Sequence, residues 1–172
     1  SLAYVPGGVY AVAESSLMWV DRRGDAQPLP LPPSNYLYPR LSPDGTRLAY
    51  SEGTAGEEQI WVRPFPDVAG GRWLVSPGGG LEPVWAPDGE ELFFRGGGSL
   101  IAVRVGTEPA FAVTGIDTLF SARQYFLSTV HPAYDVSPDG ERFLMIRAGA
   151  PDVHQLIVVE NFAEEIKRRV PR

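Results

Sequence analysis

The chain has 172 residues, a formal net charge of −6 and no cysteine. That length suffices for one domain with its own core. The acidic balance leaves no basic stripe for nucleic acid or for an anionic membrane surface, and the missing thiols exclude disulfides, thiolate catalysis and cysteine-ligated metals.

No apolar run approaches the ~20 residues of a membrane span, and no signal-peptide pattern opens the sequence. Its 19 glycines and 17 prolines are spread along the chain, which points to many turns rather than one disordered tail.

The first element is "SLAYV" (Ser1–Val5), a short strand that aligns with "RLAYS" (Arg47–Ser51). "SLMWVD" (Ser16–Asp21) and "AQPLPL" (Ala26–Leu31) are two more strands. The "DRRGD" between them holds an Arg-Gly-Asp triplet (Arg23–Asp25), which reads as a hairpin turn.

Then comes "PRLSPDGTRLAYSEG" (Pro39–Gly53), whose "SPDG" returns as "APDG" at Ala86–Gly89 and "SPDG" at Ser137–Gly140. A short extended segment precedes each copy: "PRL", "PVW" and "YDV". A strand follows each, with Leu48, Leu92 and Phe143 in one column and Tyr50, Phe94 and Met145 two residues on. That period of two marks half-buried strands.

A third strand type aligns without gaps as "SLMWVD", "EQIWVR" (Glu58–Arg63), "SLIAVR" (Ser99–Arg104) and "HQLIVV" (His154–Val159). It matches Met18, Ile60, Ile101 and Leu156, and likewise Val20, Val62, Val103 and Val158. A fourth strand follows at "RWLVS" (Arg72–Ser76) and somewhere between Phe111 and Phe120. Trp19, Trp61, Trp73 and Trp85 fall inside strands and read as core.

Four antiparallel strands, here called A to D, recurring every 40–50 residues or so are the mark of a β-propeller blade. The expected fold is all-β, a partial propeller with blades or blade remnants at about 1–35, 36–80, 81–122 and 130–160. The turn chemistry agrees: Pro presets φ at the second position, Asp bonds local backbone, and Gly accepts a positive φ. Asp44, Asp88 and Asp139 are therefore turn-makers rather than catalysts.

After His154–Val159 the pattern changes. Asn161 with Glu164 forms a capping box, Phe162, Ile166 and Val170 make one apolar stripe, and Lys167, Arg168 and Arg169 suit a helix C-terminus. A short helix over about 161–170 is expected, its stripe packed on the propeller. The chain reads as finished at Arg172.

The Pro-Asp-Gly turns resemble those of TolB-like β-propellers over Pro39 to Val159. "LMWVDRRGDAQPLPLPPSNYLYPRLSPDGTRLAY" and "LIVVENFAEEIKRRVP" look like the C-terminal propeller of bacterial transmembrane serine/threonine protein kinases. That resemblance implies a sensor or scaffold outside the cytoplasm, periplasmic or at the cell surface. Kinase loops are absent from the sequence, so this segment does not transfer phosphate.

Only two blades are complete, whereas a propeller usually has four or more. Either the chain is a fragment of a longer product, or two chains join edge to edge into one ring, a homodimer of about seven blades.

Little supports catalysis. His131 and His154 lie far apart in the blade plan, without carboxylates at metal-ligand spacing. There is no G-x-S-x-G elbow. The glycine runs Gly78–Gly80 and Gly96–Gly98 lack the Lys-Ser/Thr and helix of a phosphate loop, and read as tight connections. No cofactor and no metal is expected.

Binding fits better. The D-to-A and B-to-C loops of a propeller share one face, opposite the Pro-Asp-Gly turns, and ligands usually meet that face. Its candidate residues are Tyr36, Tyr38, Glu82, Tyr125, Phe126 and His131 from D-to-A loops, and Glu57 and Glu58 from a B-to-C loop. Aromatics among hydrogen-bonding groups suit a protein or peptide partner; packing between blades is their competing role. The expected function is a non-enzymatic binding module. The alternatives are a propeller gating a peptidase domain absent here, and a purely structural fragment.

Overall fold

The computed structural model describes residues 14–106, 110–128 and 131–147. Among them twelve strands form four antiparallel sheets. β1 (Met18–Val20) pairs with β2 (Ala26–Pro28). β3 (Tyr36–Leu41), β4 (Arg47–Glu52), β5 (Gln59–Pro64) and β6 (Trp73–Leu74) make a four-stranded meander. β7 (Leu81–Trp85), β8 (Glu91–Gly96), β9 (Ser99–Gly106) and β10 (Ala112–Ser121) make the next. β11 (Tyr134–Val136) pairs with β12 (Phe143–Met145). This is a partial β-propeller: two full blades with a two-stranded sheet at either end. The strands expected at Ser1–Val5 and His154–Val159 and the helix expected over 161–170 lie outside the described residues.

The three repeated turns are alike. The glycine N–H donates back to the first turn residue, Gly45 to Ser42, Gly89 to Ala86 and Gly140 to Ser137, each at 2.9 Å. These glycines have φ of 69°, 77° and 76°, the left-handed region open to glycine. In the first turn Asp44 Oδ1 accepts from the Ser42 hydroxyl at 2.5 Å and the Thr46 N–H at 3.0 Å, while Oδ2 takes the Thr46 hydroxyl at 2.7 Å.

Those bonds, the Ser42 hydroxyl foremost, hold the Asp44 carboxyl down to about 2. A depressed carboxyl contributes stability above its ordinary pKa of about 4, and that contribution fades as the pH falls toward 2. Asp44→Ala is thus expected to cost on the order of 1 kcal/mol at neutral pH and less at pH 2, which urea melts at both pH values would check. Asp88→Ala should cost less, because Asp88 receives the Glu90 N–H alone among the described residues.

Side-chain alternation stacks the blades. Leu48 and Tyr50 of β4 face the first sheet and pack with Leu17, Leu29, Leu31 and Trp61. Ala49 faces the other way and joins Ile60, Val62 and Val75 against Trp85, Leu92, Phe94 and Val103 of the second full blade. Phe93, between Leu92 and Phe94, points onward with Leu100 and Ala102 to meet Tyr134, Phe143 and Met145. Each strand therefore feeds two cores, one per face.

Two sequence readings need correction. The gapless alignment equates Ile60 with Ile101, yet Tyr50 stands opposite Trp61 and its counterpart Phe94 stands opposite Ile101. Trp61 and Ile101 are the true equivalents, and Ile60 corresponds to Leu100. The cause is the connection: residues 53–58 join β4 to β5, whereas the tight Gly97–Gly98 turn joins β8 to β9. A one-residue slip reverses the face of every side chain. The second concerns Trp19, which is 50% exposed. It leans its ring on Phe65 at 5.1 Å between centroids, while the remaining surface faces outward. Trp85 is buried, and Trp61 and Trp73 are half-buried.

Candidate binding face

β3 and β7 begin with the same irregularity. Their pairing slips between Leu37 and Arg40 and between Leu81 and Val84. Tyr38 and Glu82 occupy those bulges with φ of 53° and 57°, each held in front of a proline. Strain of this kind persists only where surrounding contacts fix it.

Here both side chains reach the connection between β10 and β11. The buried Tyr38 hydroxyl donates to the Ser128 carbonyl at 2.6 Å. Burial, with Glu82 nearby, pushes that phenol up to about 12. Glu82 is fully buried. Its Oε1 accepts the N–H groups of Ser128 at 3.4 Å and Ala133 at 3.2 Å, and its carbonyl takes the Tyr134 hydroxyl at 2.8 Å. Its Oε2 faces the Arg95 guanidinium at 3.8 Å. Burial raises the Glu82 carboxyl above the ordinary value, against the pull of Arg95 and the two amides.

Arg95, also buried, holds the same segment from the other side. It donates to the Phe126 carbonyl and, at 3.0 Å each, to those of Ala122 and Tyr125. Phe126 N–H donates to the Ile146 carbonyl at 2.7 Å. A buried ion pair thus fixes the backbone, while the Phe126 and Leu127 side chains are left 46% exposed.

Beside Leu127 lies a cavity of about 230 Å³ between Glu58, Arg95 and the two glycine runs. The runs converge because side chains would not fit. A Cβ on Gly80 would stand 2.6 Å from the Phe94 ring, and one on Gly96 would stand 2.8 Å from the Gly79 carbonyl oxygen. B-to-C and D-to-A loops therefore meet on one face. A second, wider opening of about 740 Å³ lies at the turn end, among Asp44, Asp88, Glu90, Glu91 and Arg104. Among the described residues no three His, Asp or Glu side chains converge as metal ligands.

The fold gathers Tyr38, Glu82, Tyr125 and His131 around the connection between β10 and β11. Tyr38 and Glu82 are buried braces. Tyr125 is half-buried against Phe120, with ring centroids 6.4 Å apart. His131 is exposed, and its N–H reaches the Ser128 hydroxyl at 3.3 Å. Tyr36 stands apart, edge-on to Tyr50 at 5.4 Å and bonded to the Pro32 carbonyl at 2.7 Å. Glu57 is exposed, and Glu58 lines the cavity while its Oε2 caps the Gly56 N–H at 2.8 Å.

Sequence reasoning missed Arg95, Leu127 and Ser128. Arg95 gave a misleading signal, since it alternates with the Phe94 column and so falls on the face that a half-buried strand turns to water. Ser128 had none.

These blades, sheets and bulged inner strands define a TolB-like β-propeller fold. The structure is similar to TolB from Acinetobacter baumannii, with a TM-score of 0.52 and 17% identity over 77% of this chain and 32% of that one. A protein from Lactobacillus plantarum gives a TM-score of 0.46 at 24% identity, over 74% of this chain and 42% of that one. The chain thus spans about a third of the length of TolB. No protein-family model matches the chain, and no curated protein does.

Proposed function

We propose that this chain is a non-enzymatic propeller module that holds a protein or peptide partner on its loop face. It would serve outside the cytoplasm, as the sensor or scaffold part of a receptor-type serine/threonine kinase or of a TolB-like assembly. The observation that carries this reading is the pair Phe126 and Leu127. Their backbone is fixed by Arg95 and Glu82, yet both side chains face solvent, and Leu127 lines a cavity. Rigid, exposed apolar side chains next to a concavity suit a binding hot spot, because little ordering entropy is lost on contact. The exposed His131 lies on the same connection, and Glu57, exposed on the β4–β5 connection next to the cavity-lining Glu58, would add to the polar rim. The TolB-like fold supports the reading as an analogy of fold.

Peptides selected from a displayed random library against the 172-residue chain provide the test. The double substitution Phe126→Asp, Leu127→Asp is expected to weaken the selected peptides by about 30-fold or more, read by titration calorimetry. Equal affinity for the substituted chain would remove this face as the site.

A further inference from the structure

The cavity on the loop face lies between the two complete blades. One wall is the connection from β4 to β5, with Gly56 and Glu58, and the other is the tight Gly96–Gly98 turn between β8 and β9. Gly78–Gly80 run between them, and Leu81 and Leu127 add aliphatic surface. Glycine supplies most of the lining, so little of the chain's own side-chain bulk enters the space. At about 230 Å³ it suits one long side chain, being smaller than the ~300–1,000 Å³ clefts that take small molecules.

Its charge is one-sided. Glu52 is matched by Arg72, and the fully buried Glu82 by Arg95. The half-buried Glu58 carboxylate accepts the Gly56 N–H at 2.8 Å, and Glu57 accepts the Thr54 hydroxyl at 3.2 Å. Among the described residues neither carboxylate forms an ion pair. Arg95 also lines the cavity, but it donates to the carbonyls of Ala122, Tyr125 and Phe126 and faces Glu82. The exposed Arg123 lies along Gly98, on the wall opposite Glu58. The unmatched charge of the cavity is therefore that of Glu58. A carboxylate beside aliphatic surface complements a long basic side chain, whose stem is apolar and whose head is a charged donor.

We propose that this cavity takes one lysine or arginine side chain of a peptide partner, its stem along Leu81 and Leu127 and its charged head at Glu58, a refinement that rests on the loop-face reading given above. Glu57, exposed and next in the chain, raises the local concentration of basic peptides without entering the cavity. The Arg123 wall repels a second cation, which makes the slot selective for a single basic residue.

The test starts from peptides selected from a displayed random library against the 172-residue chain. Those that Phe126→Asp, Leu127→Asp weakens are the loop-face ligands, and they are expected to share one lysine or arginine. Glu58→Gln should weaken them about tenfold by titration calorimetry, with the melting temperature unchanged, because the amide oxygen still accepts the Gly56 N–H. Replacing the basic residue of the peptide by norleucine should cost as much and abolish the effect of Glu58→Gln. Asp88→Asn, at the turn end, should change nothing. Loop-face peptides without a shared basic residue, or a change under threefold on Glu58→Gln, would overturn the basic slot and leave the loop face standing. An equal loss on Glu57→Gln would overturn it as well, because attraction by net charge would then suffice. Peptides that ignore Phe126→Asp, Leu127→Asp would remove the loop face and the slot together. Binding that emerges only after Lys167→Ala, Arg168→Ala and Arg169→Ala would also overturn the proposal, giving the slot to this chain's own basic residues.

Discussion

Replacing Arg95 by methionine is expected to lower stability by about 3–5 kcal/mol, or melting temperature by roughly 10 °C. The substitution keeps most of the aliphatic bulk and removes the charge. It strips three backbone carbonyls of their donor and leaves the fully buried Glu82 without its cation. The loss should depend on pH in a defined direction. Burial raises the Glu82 carboxyl, so its favourable state is the protonated one, present below the ordinary glutamate pKa and lost as the pH rises through the raised value. The penalty of the substitution should therefore be larger at pH 7 than near pH 4. Adding Glu82→Gln to Arg95→Met should recover part of it, because an amide is cheaper to bury than an unpaired carboxylate. Urea melts of the two single variants and the double variant, at both pH values, measure all of this. A loss under about 1 kcal/mol at pH 7 would mean that the connection between β10 and β11 is held by other contacts.

The repeated turn was legible because it is local. Pro, Asp and Gly at fixed positions dictate the dihedrals, and Ser42 to Gly45 closes on itself within four residues. From three such turns and the period-two columns, the blades follow. What eluded the sequence is the slip between Ile60 and Ile101, since both lie in "I-x-V" contexts and only the length of the preceding loop tells them apart. The brace is harder still. Arg95 finds its carbonyl acceptors 27 to 31 residues on, and Tyr38 finds Ser128 90 residues on. No local pattern encodes pairings at that range. They exist because the propeller brings successive inner strands side by side. Sequence reasoning offered Tyr38 and Glu82 as residues that face a ligand, with packing between blades as the competing role. The geometry makes them the supports of Phe126 and Leu127, with the positive φ at each bulge turning them inward.

Phe93→Ala is expected to cost about 3–5 kcal/mol, the range for deleting a buried aromatic ring. Phe93 is 2% exposed and meets Phe143 edge-on, with centroids 4.9 Å apart. The ring lies at the joint between the second full blade and the β11–β12 hairpin, so the substitution probes whether adjacent blades unfold together. A stack of modules that touch only their neighbours is stabilised by its interfaces as much as by each unit. If the joints carry the cooperativity, Phe93→Ala should leave a single unfolding transition at a lower urea midpoint. Near-ultraviolet dichroism from the four tryptophans, all in residues 19–85, should then move together with far-ultraviolet signal from the whole chain. Crossing it with Phe143→Ala should give a coupling of about 0.5–1.5 kcal/mol, the usual worth of an aromatic pair beyond its buried area. Zero coupling with two separated transitions would show instead that the last hairpin is an independent flap.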